Sequence, residues 1–104
     1  MRFIMNNNNW EIREKTNEEM MALTGDYENF THGTTEYSEL VININKSAPD
    51  KRRTLCHELM HCFMYEYGHN QFENKTFNNE DICEMVASSH DIINRIINKY
   101  FEGN

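Results

Sequence analysis

Alternating apolar and polar residues mark short β-strands in the first half of the chain. Arg2–Met5 is mostly apolar, Asn6–Asn9 is a strong turn signal, and Trp10–Arg13 alternates between apolar and polar positions. Asn17–Leu23 fits either one helical turn or a loop. The pattern therefore predicts two strands joined by a turn and followed by a less regular segment.

A second pair of strands is predicted between Phe30 and Asn45. Phe30–Thr35 is rich in threonine and aromatic residues, Glu36–Ser38 makes a plausible tight turn, and Leu40–Asn45 is the clearest strand of the chain. Its side chains divide between two faces, with Leu40, Ile42 and Ile44 on one and Val41, Asn43 and Asn45 on the other. An apolar face beside a mixed face is typical of a sheet with one side on the core, so we predict a β-hairpin here.

The second half of the chain has the spacing of amphipathic helices. Ser47–Asp50 combines a capping serine, an early proline and an acid, which predicts a helix over about residues 48–67. Gly68 suits the left-handed position that ends helices. After a polar loop from His69 to about Asn78, a second helix is predicted over about residues 79–101. Its core-facing stripe consists of apolar side chains: Ile82, Met85, Val86, Ile93, Ile96, Ile97 and Tyr100.

Length and composition narrow the classes of protein. A chain of 104 residues builds at most one domain, so residues 1–104 are predicted to form a single α+β domain. A net charge of −7 argues against nucleic acids or anionic membranes as partners, because phosphate contacts need clustered lysine and arginine. The sequence has neither a membrane-spanning apolar run nor a secretory signal. We therefore expect a cytoplasmic protein, monomeric, with three reduced cysteines.

The first predicted helix contains an H-E-x-x-H sequence, His57 to His61. Residues four apart lie about 40° from each other around a helix, so both imidazoles can reach one Zn²⁺ at about 2.0–2.1 Å. Glu58 is rotated by about 100° from His57 and is placed to act as a general base on a metal-bound water. The alternative is a helix with two surface histidines. Apolar neighbours argue against it, because buried imidazoles and carboxylates need partners.

The two cysteines that flank the histidines are interpreted as packing residues. Cys56 and Cys62 each neighbour a histidine in sequence, but adjacent residues on a helix point about 100° apart. Their thiols should therefore miss the ion, and we expect both to be small buried hydrophobic residues.

A catalytic zinc site needs a third protein ligand, which we expect from the second helix. The available side chains are Glu80, Asp81, Glu84, His90 and Asp91. Glu84 is predicted as the ligand because its mostly apolar neighbours make an unpaired carboxylate costly. Asp91 is a candidate acceptor for the N–H of a ligand histidine, and His90 is a candidate transition-state stabiliser.

These motifs resemble those of a known group. Thr54–Phe63, followed by Glu84–Ala87, resembles the small zincin-like metallopeptidases of bacteria and their phages, which are related to the ImmA/IrrE family. The resemblance extends to Gly33–Thr35 and Leu40–Asn45 and covers most of residues 30–100. It implies a small, twisted, mostly antiparallel sheet packed on the H-E-x-x-H helix, followed by a helix that carries the glutamate ligand.

The resemblance also implies an activity. It implies His57, His61 and Glu84 as ligands of one Zn²⁺ per chain, and Glu58 as the base in the hydrolysis of a peptide bond. It further implies that the strand Leu40–Asn45 is an edge strand that holds an extended peptide, through Val41, Asn43 and Asn45. The expected substrate is a specific intracellular protein in a phage or bacterial context. A second hypothesis stays open: a weak or inactive zincin fold that binds a host regulatory or defence protein.

Overall fold

The computed structural model describes residues 1–68 and 77–103, which form four strands and three helices. In chain order these are β1 (Arg2–Met5), β2 (Asn8–Lys15), α1 (Asn17–Thr24), β3 (Gly33–Glu36), β4 (Val41–Asn45), α2 (Lys51–Glu66) and α3 (Asn79–Glu102). The α+β class expected from the sequence is confirmed. The predicted loop from His69 to about Asn78 lies mostly outside the described residues. Among the helices of the described part, none is long and apolar enough to cross a membrane.

The four strands form one sheet in the order β1-β2-β4-β3. The outer pairs are antiparallel, whereas β2 and β4 pair in parallel at the centre of the sheet. The predicted hairpin is confirmed as β3 and β4. Two of the three pairings are antiparallel, in agreement with the prediction.

One prediction about the sheet is wrong. The strand that contains Val41, Asn43 and Asn45 was expected at the edge, but β4 lies between β2 and β3, and all five of its residues are buried. The parallel pairing with β2 occupies the side on which a peptide was expected to add. That pairing joins segments about thirty residues apart in sequence, which no local pattern reveals. The edges of the sheet are β1 and β3.

The helix boundaries depart from prediction at one point. α2 begins at Lys51, where the side chain of Asp50 accepts a hydrogen bond from the Arg53 amide at 3.0 Å. The expected cap, Ser47, instead donates its amide to the Asn45 side chain at 2.9 Å, in a turn that leaves β4. Gly68 adopts the expected left-handed conformation, with φ of 84°. Asn17–Leu23, which was open between helix and loop, lies in helix α1.

The core lies between one face of the sheet and the helices α2 and α3. Its members are apolar side chains from both layers: Phe3, Met5, Trp10, Ile12, Ile42, Ile44, Leu55, Leu59, Cys62, Phe63, Ile93, Ile96, Ile97 and Tyr100. Only the C-terminal half of α3 contributes to this core. Ile82 and Val86, which were predicted on the buried stripe, are 47% and 55% exposed.

Candidate active site

The spacing of buried residues on α2 decides which side chains are accessible. The buried positions recur every three or four residues: Thr54, Leu55, Glu58, Leu59, Cys62 and Phe63. His57 and His61 flank this stripe, so His57 is exposed and His61 half-buried. Both imidazoles therefore stay reachable from solvent, whereas Glu58 lies on the side that faces the sheet.

The two histidines meet at their outer nitrogens. Nε2 of His57 lies 3.2 Å from Nε2 of His61, and the ring centroids are 4.9 Å apart. Two nitrogens that bind one zinc ion tetrahedrally at 2.0–2.1 Å lie about 3.3 Å apart. The spacing of this pair thus fits two of the ligands of a zinc ion without rearrangement.

Glu58 is a carboxylate on the buried side of α2, with only 6% of its surface exposed. Its Oε1 accepts a hydrogen bond from the Thr35 hydroxyl at 2.9 Å. A buried carboxylate is costly unless it is hydrogen-bonded, so Thr35 offsets part of that cost. Sequence reasoning missed Thr35, because the two residues lie 23 positions apart and only the packing of β3 on α2 joins them.

Gly33 allows β3 to approach α2 closely. A Cβ atom at this position would lie 3.0 Å from Thr54 Cγ2, 3.2 Å from Glu58 Cγ and 3.0 Å from the Asn43 carbonyl oxygen. Each distance is tighter than ordinary van der Waals contact. The absence of a side chain at Gly33 therefore lets the Thr35 hydroxyl reach Glu58.

A cavity of about 690 Å³ opens beside this arrangement. His57 and Glu58 line it together with Gly33, His32 and Arg53. The cavity is of the size that holds a small ligand or a few residues of a peptide. A ligand in this cavity would lie next to His57 and the buried Glu58 carboxylate.

A second depression, of about 470 Å³, lies on the other side of His57, between α2 and α3. His57 and Cys56 line it from α2, and Asn94 and Ile97 line it from α3. Arg52 donates a hydrogen bond to the Asn98 side chain at 2.7 Å, whereas His57, further along α2, lies across from Asn94, which comes earlier on α3. The two helices are therefore antiparallel.

This register separates Glu84 from the histidines. Among residues 1–68 and 77–103, no three His, Cys, Asp or Glu side chains are grouped so that they would hold a metal ion. Glu84 is exposed on α3, ten residues before Asn94, which corresponds to about 15 Å along the helix axis. The structure brings the imidazoles of His57 and His61 together and places Glu58 beside His57 on one cavity, but it does not bring Glu84 to them.

The other two predicted site residues lie on the exposed side of α3. His90 contacts Asn94 at 3.3 Å and pairs with Asp91 at 3.7 Å. The Asp91 side chain is almost fully exposed, and it pairs with His90 rather than with a histidine of α2. His90 lies one turn before Asn94, and hence one turn from the depression between the helices.

The two cysteines beside the histidines differ in environment. Cys62 is fully buried, and burial raises the pKa of its thiol well above the usual range. Cys56 is exposed, so its predicted burial is wrong. It lies just before His57 on the part of α2 that the core does not cover.

The chain matches one family model. The model is that of peptidase family M78, described as an IrrE N-terminal-like domain, and it matches residues 14–89. The match contains the whole of β3, β4 and α2, with His57, Glu58, His61 and Thr35, and also the N-terminal part of α3 with Glu84. The resemblance inferred from the motifs is thereby confirmed. No curated protein and no solved structure matches the chain significantly.

Proposed function

Because this chain belongs to peptidase family M78, we propose that it is a zinc-dependent peptidase whose active site is built on His57, Glu58 and His61. One observation carries the proposal. Two imidazole nitrogens lie 3.2 Å apart, and the residue after His57 in the motif is a buried carboxylate that lines one cavity with His57. Burial of the Glu58 carboxylate lowers the stability of the fold, and a helix with only a structural role would be more stable with an apolar residue there.

His57 and His61 would hold the ion through Nε2. A bound zinc ion supplies an acidified water and polarises the carbonyl group of the scissile bond. Imidazole and carboxylate donors also accept Mn²⁺ and Co²⁺, so the metal in the cell depends on availability as well as on these ligands.

Glu58 is the proposed general base. It takes a proton from the attacking water and passes it to the leaving amine nitrogen. Because the Thr35 hydroxyl occupies Oε1, Oε2 remains for proton transfer. Thr35 is thus a positioning residue that fixes the carboxylate beside the cavity.

The proposed substrate is a protein or peptide segment that lies along β3. The Asn45 amide donates to the His32 carbonyl at 2.8 Å, and hydrogen-bonded pairs alternate along an antiparallel ladder. Gly33 and Thr35 therefore direct their backbone groups away from β4, towards the free edge. An extended peptide paired with them would pass next to Glu58. In this proposal β3 takes the place of the interior strand β4.

Glu84 is the proposed third protein ligand. Its binding requires the N-terminal half of α3 to move towards the histidines, since Glu84 does not group with them among the described residues. The exposure of Ile82 and Val86 supports such a movement. These apolar side chains lie on the N-terminal half of α3, and a movement towards α2 would bury them. That the substrate is an intracellular protein in a phage or bacterial setting stays a prediction.

The first experiment measures zinc in the purified chain by elemental analysis. We expect about one zinc per chain, lost in His57→Ala and weakened in Glu84→Ala. Glu80→Ala is the matched control, because it removes an exposed carboxylate one turn away on the same helix. If the Glu84→Ala variant binds zinc as tightly as the unmodified chain, Glu84 is excluded as a ligand.

Turnover is then measured with a fluorescence-quenched library of random peptides. Glu58→Gln should keep the metal and slow cleavage by about 10²–10⁴-fold, since it removes the base and retains the shape. Cleavage by Glu58→Gln at the rate of the unmodified chain would refute the mechanism.

One observation favours a second candidate function. The described residues do not assemble three ligands, so the domain as it stands is also consistent with a catalytically weak module that binds a regulatory or defence protein. The two candidates differ in the zinc experiment. A chain that takes up no zinc after reconstitution supports the binding module, and one that binds zinc and cleaves the library supports the peptidase.

A further inference from the structure

The edge of the sheet opposite β3 borders a cavity that the proposed reaction does not use. This cavity, of about 430 Å³, lies between β1 and the C-terminal half of α3. Phe3, Ile92 and Ile96 contribute apolar side chains to it, and Arg2, Arg95 and Lys99 contribute cations. We refer to it as the β1 groove.

The charge of the β1 groove is opposite to that of the chain. Three of the ten Lys and Arg residues line it, and none of the seventeen Asp and Glu residues does. Arg2 pairs with Glu11 at 3.3 Å. Arg95 and Lys99 are one turn apart on α3, and neither is paired with a carboxylate among the described residues. On a protein of net charge −7, the groove is a local site of attraction for anionic groups.

The backbone of β1 offers unpaired groups at the same place. The Met1 ammonium donates to the Ile12 carbonyl at 3.1 Å, and the Ile12 amide donates back to Met1 at 2.7 Å. Because hydrogen-bonded pairs alternate along an antiparallel ladder, Arg2 and Ile4 point their N–H and C=O groups away from β2. No other described strand pairs with that side, and the Ile4 side chain is 68% exposed.

The β1 groove lies outside the residues that the family model matches. The family model matches residues 14–89, whereas the residues that line the groove lie within 1–9 and 92–99. Binding at the groove does not depend on whether the histidine site is catalytic.

We propose that the β1 groove binds an extended acidic segment of a partner protein by strand addition to β1. The segment would pair with the outward groups of Arg2 and Ile4, place an apolar side chain over Ile92 and Ile96, and direct carboxylates to Arg95 and Lys99. Charge argues against a second copy of this chain as the occupant. Pairing of β1 with itself would bring the same cations of two copies together.

The test uses the full chain and a short fluorescein-labelled peptide that alternates Glu and Val, with binding followed by fluorescence anisotropy. We expect saturable binding, and no binding of the same peptide with Lys in place of Glu. The variant Arg95→Glu/Lys99→Glu should weaken binding by at least about tenfold, because two attractive contacts become repulsive. The matched control is Lys15→Glu/Lys46→Glu, which changes the net charge equally at the other end of β2 and should stay within about twofold.

A second peptide separates strand addition from charge attraction alone. It carries the same side chains, but alternate backbone nitrogens are methylated, so it cannot pair with an edge strand. We expect it not to bind. Equal affinity for the methylated peptide would overturn strand addition, and equal affinity of Arg95→Glu/Lys99→Glu would overturn the role of the cations. Failure of the Glu–Val peptide to bind overturns the proposal. A dimer that is seen by sedimentation velocity and abolished by Ile4→Pro also overturns it, because a second copy of the chain would then occupy the edge of β1.

Discussion

At the scale of single residues, the candidate site depends on a contact between two side chains far apart in sequence. Glu58 lies on the buried stripe of α2, where an unpaired carboxylate would destabilise the fold. The Thr35 hydroxyl, 2.9 Å from Oε1, is its described side-chain partner. The proposed catalysis and the stability of the fold thus depend on the same hydrogen bond.

Thr35→Val tests this contact without a substrate. The substitution keeps the shape of the side chain and removes the donor, so the buried carboxylate loses its partner. We expect the free energy of unfolding to fall by about 1–3 kcal/mol in urea denaturation. Thr35→Ser should restore most of the loss, because it returns the hydroxyl. A Thr35→Val protein as stable as the unmodified chain would show that the contact contributes little.

The cysteines give a second test at this scale. Burial raises the pKa of Cys62, so its thiol stays protonated across the neutral range and lacks the reactive thiolate form. Cys56 and Cys83 are exposed. We expect a thiol reagent at neutral pH to modify Cys56 and Cys83 in the native protein, and to modify Cys62 only in denaturant. The labelled positions are identified by mass spectrometry. Labelling of Cys62 in the native protein would contradict its burial.

At the scale of secondary-structure elements, α3 has two unequal halves. Ile93, Ile96, Ile97 and Tyr100 in the C-terminal half are buried in the core, whereas Ile82 and Val86 in the N-terminal half are exposed. The same apolar spacing runs through both halves, but the core covers only one. The half that carries Glu84 is therefore the less restrained half of the helix.

Two isoleucine-to-alanine substitutions measure this difference directly. Ile93→Ala removes a core side chain that is 5% exposed and should cost about 2–5 kcal/mol of stability. Ile82→Ala makes the same chemical change at a residue that is 47% exposed and should stay within about 0.5 kcal/mol. Both values come from denaturant unfolding of the metal-free chain. A large loss in Ile82→Ala would mean that the N-terminal half of α3 is packed in solution.

At the scale of the whole molecule, the proposed zinc site links metal binding to stability. A ligand that binds only the folded chain stabilises it by about 2.7 kcal/mol at one hundred times its dissociation constant. The gain follows from mass action and requires no enzymatic activity. Stability therefore reports on the site even when the substrate is unknown.

We expect zinc to raise the melting temperature of the unmodified chain and to protect amides of residues 79–88 from hydrogen exchange. The protection follows if Glu84 is drawn towards the histidines and the N-terminal half of α3 packs. His57→Ala should abolish both effects, whereas Glu58→Gln should keep both. Stabilisation by zinc with unchanged exchange at residues 79–88 would support a site that takes its third ligand from elsewhere.

The sequence alone determined the local structure of the helices and the pairing of the two histidines on α2. Apolar periodicity located α2 and α3 within a few residues, because amphipathic helices are encoded by spacing within the segment itself. The H-E-x-x-H sequence predicted the convergence of His57 and His61 for the same reason, since four residues span about one helical turn. Gly68 and the hairpin of β3 and β4 were likewise local features.

Only the tertiary structure decided how these elements are placed relative to one another. The parallel pairing of β2 with β4 moved Val41, Asn43 and Asn45 from an expected edge to the interior. The antiparallel register of α2 and α3 set Glu84 about 15 Å along the helix from Asn94, the residue that lies across from His57. Both outcomes, like the contact between Thr35 and Glu58, join segments distant in the chain. Such contacts depend on which surfaces pack together, and a pattern read within one segment does not contain that information.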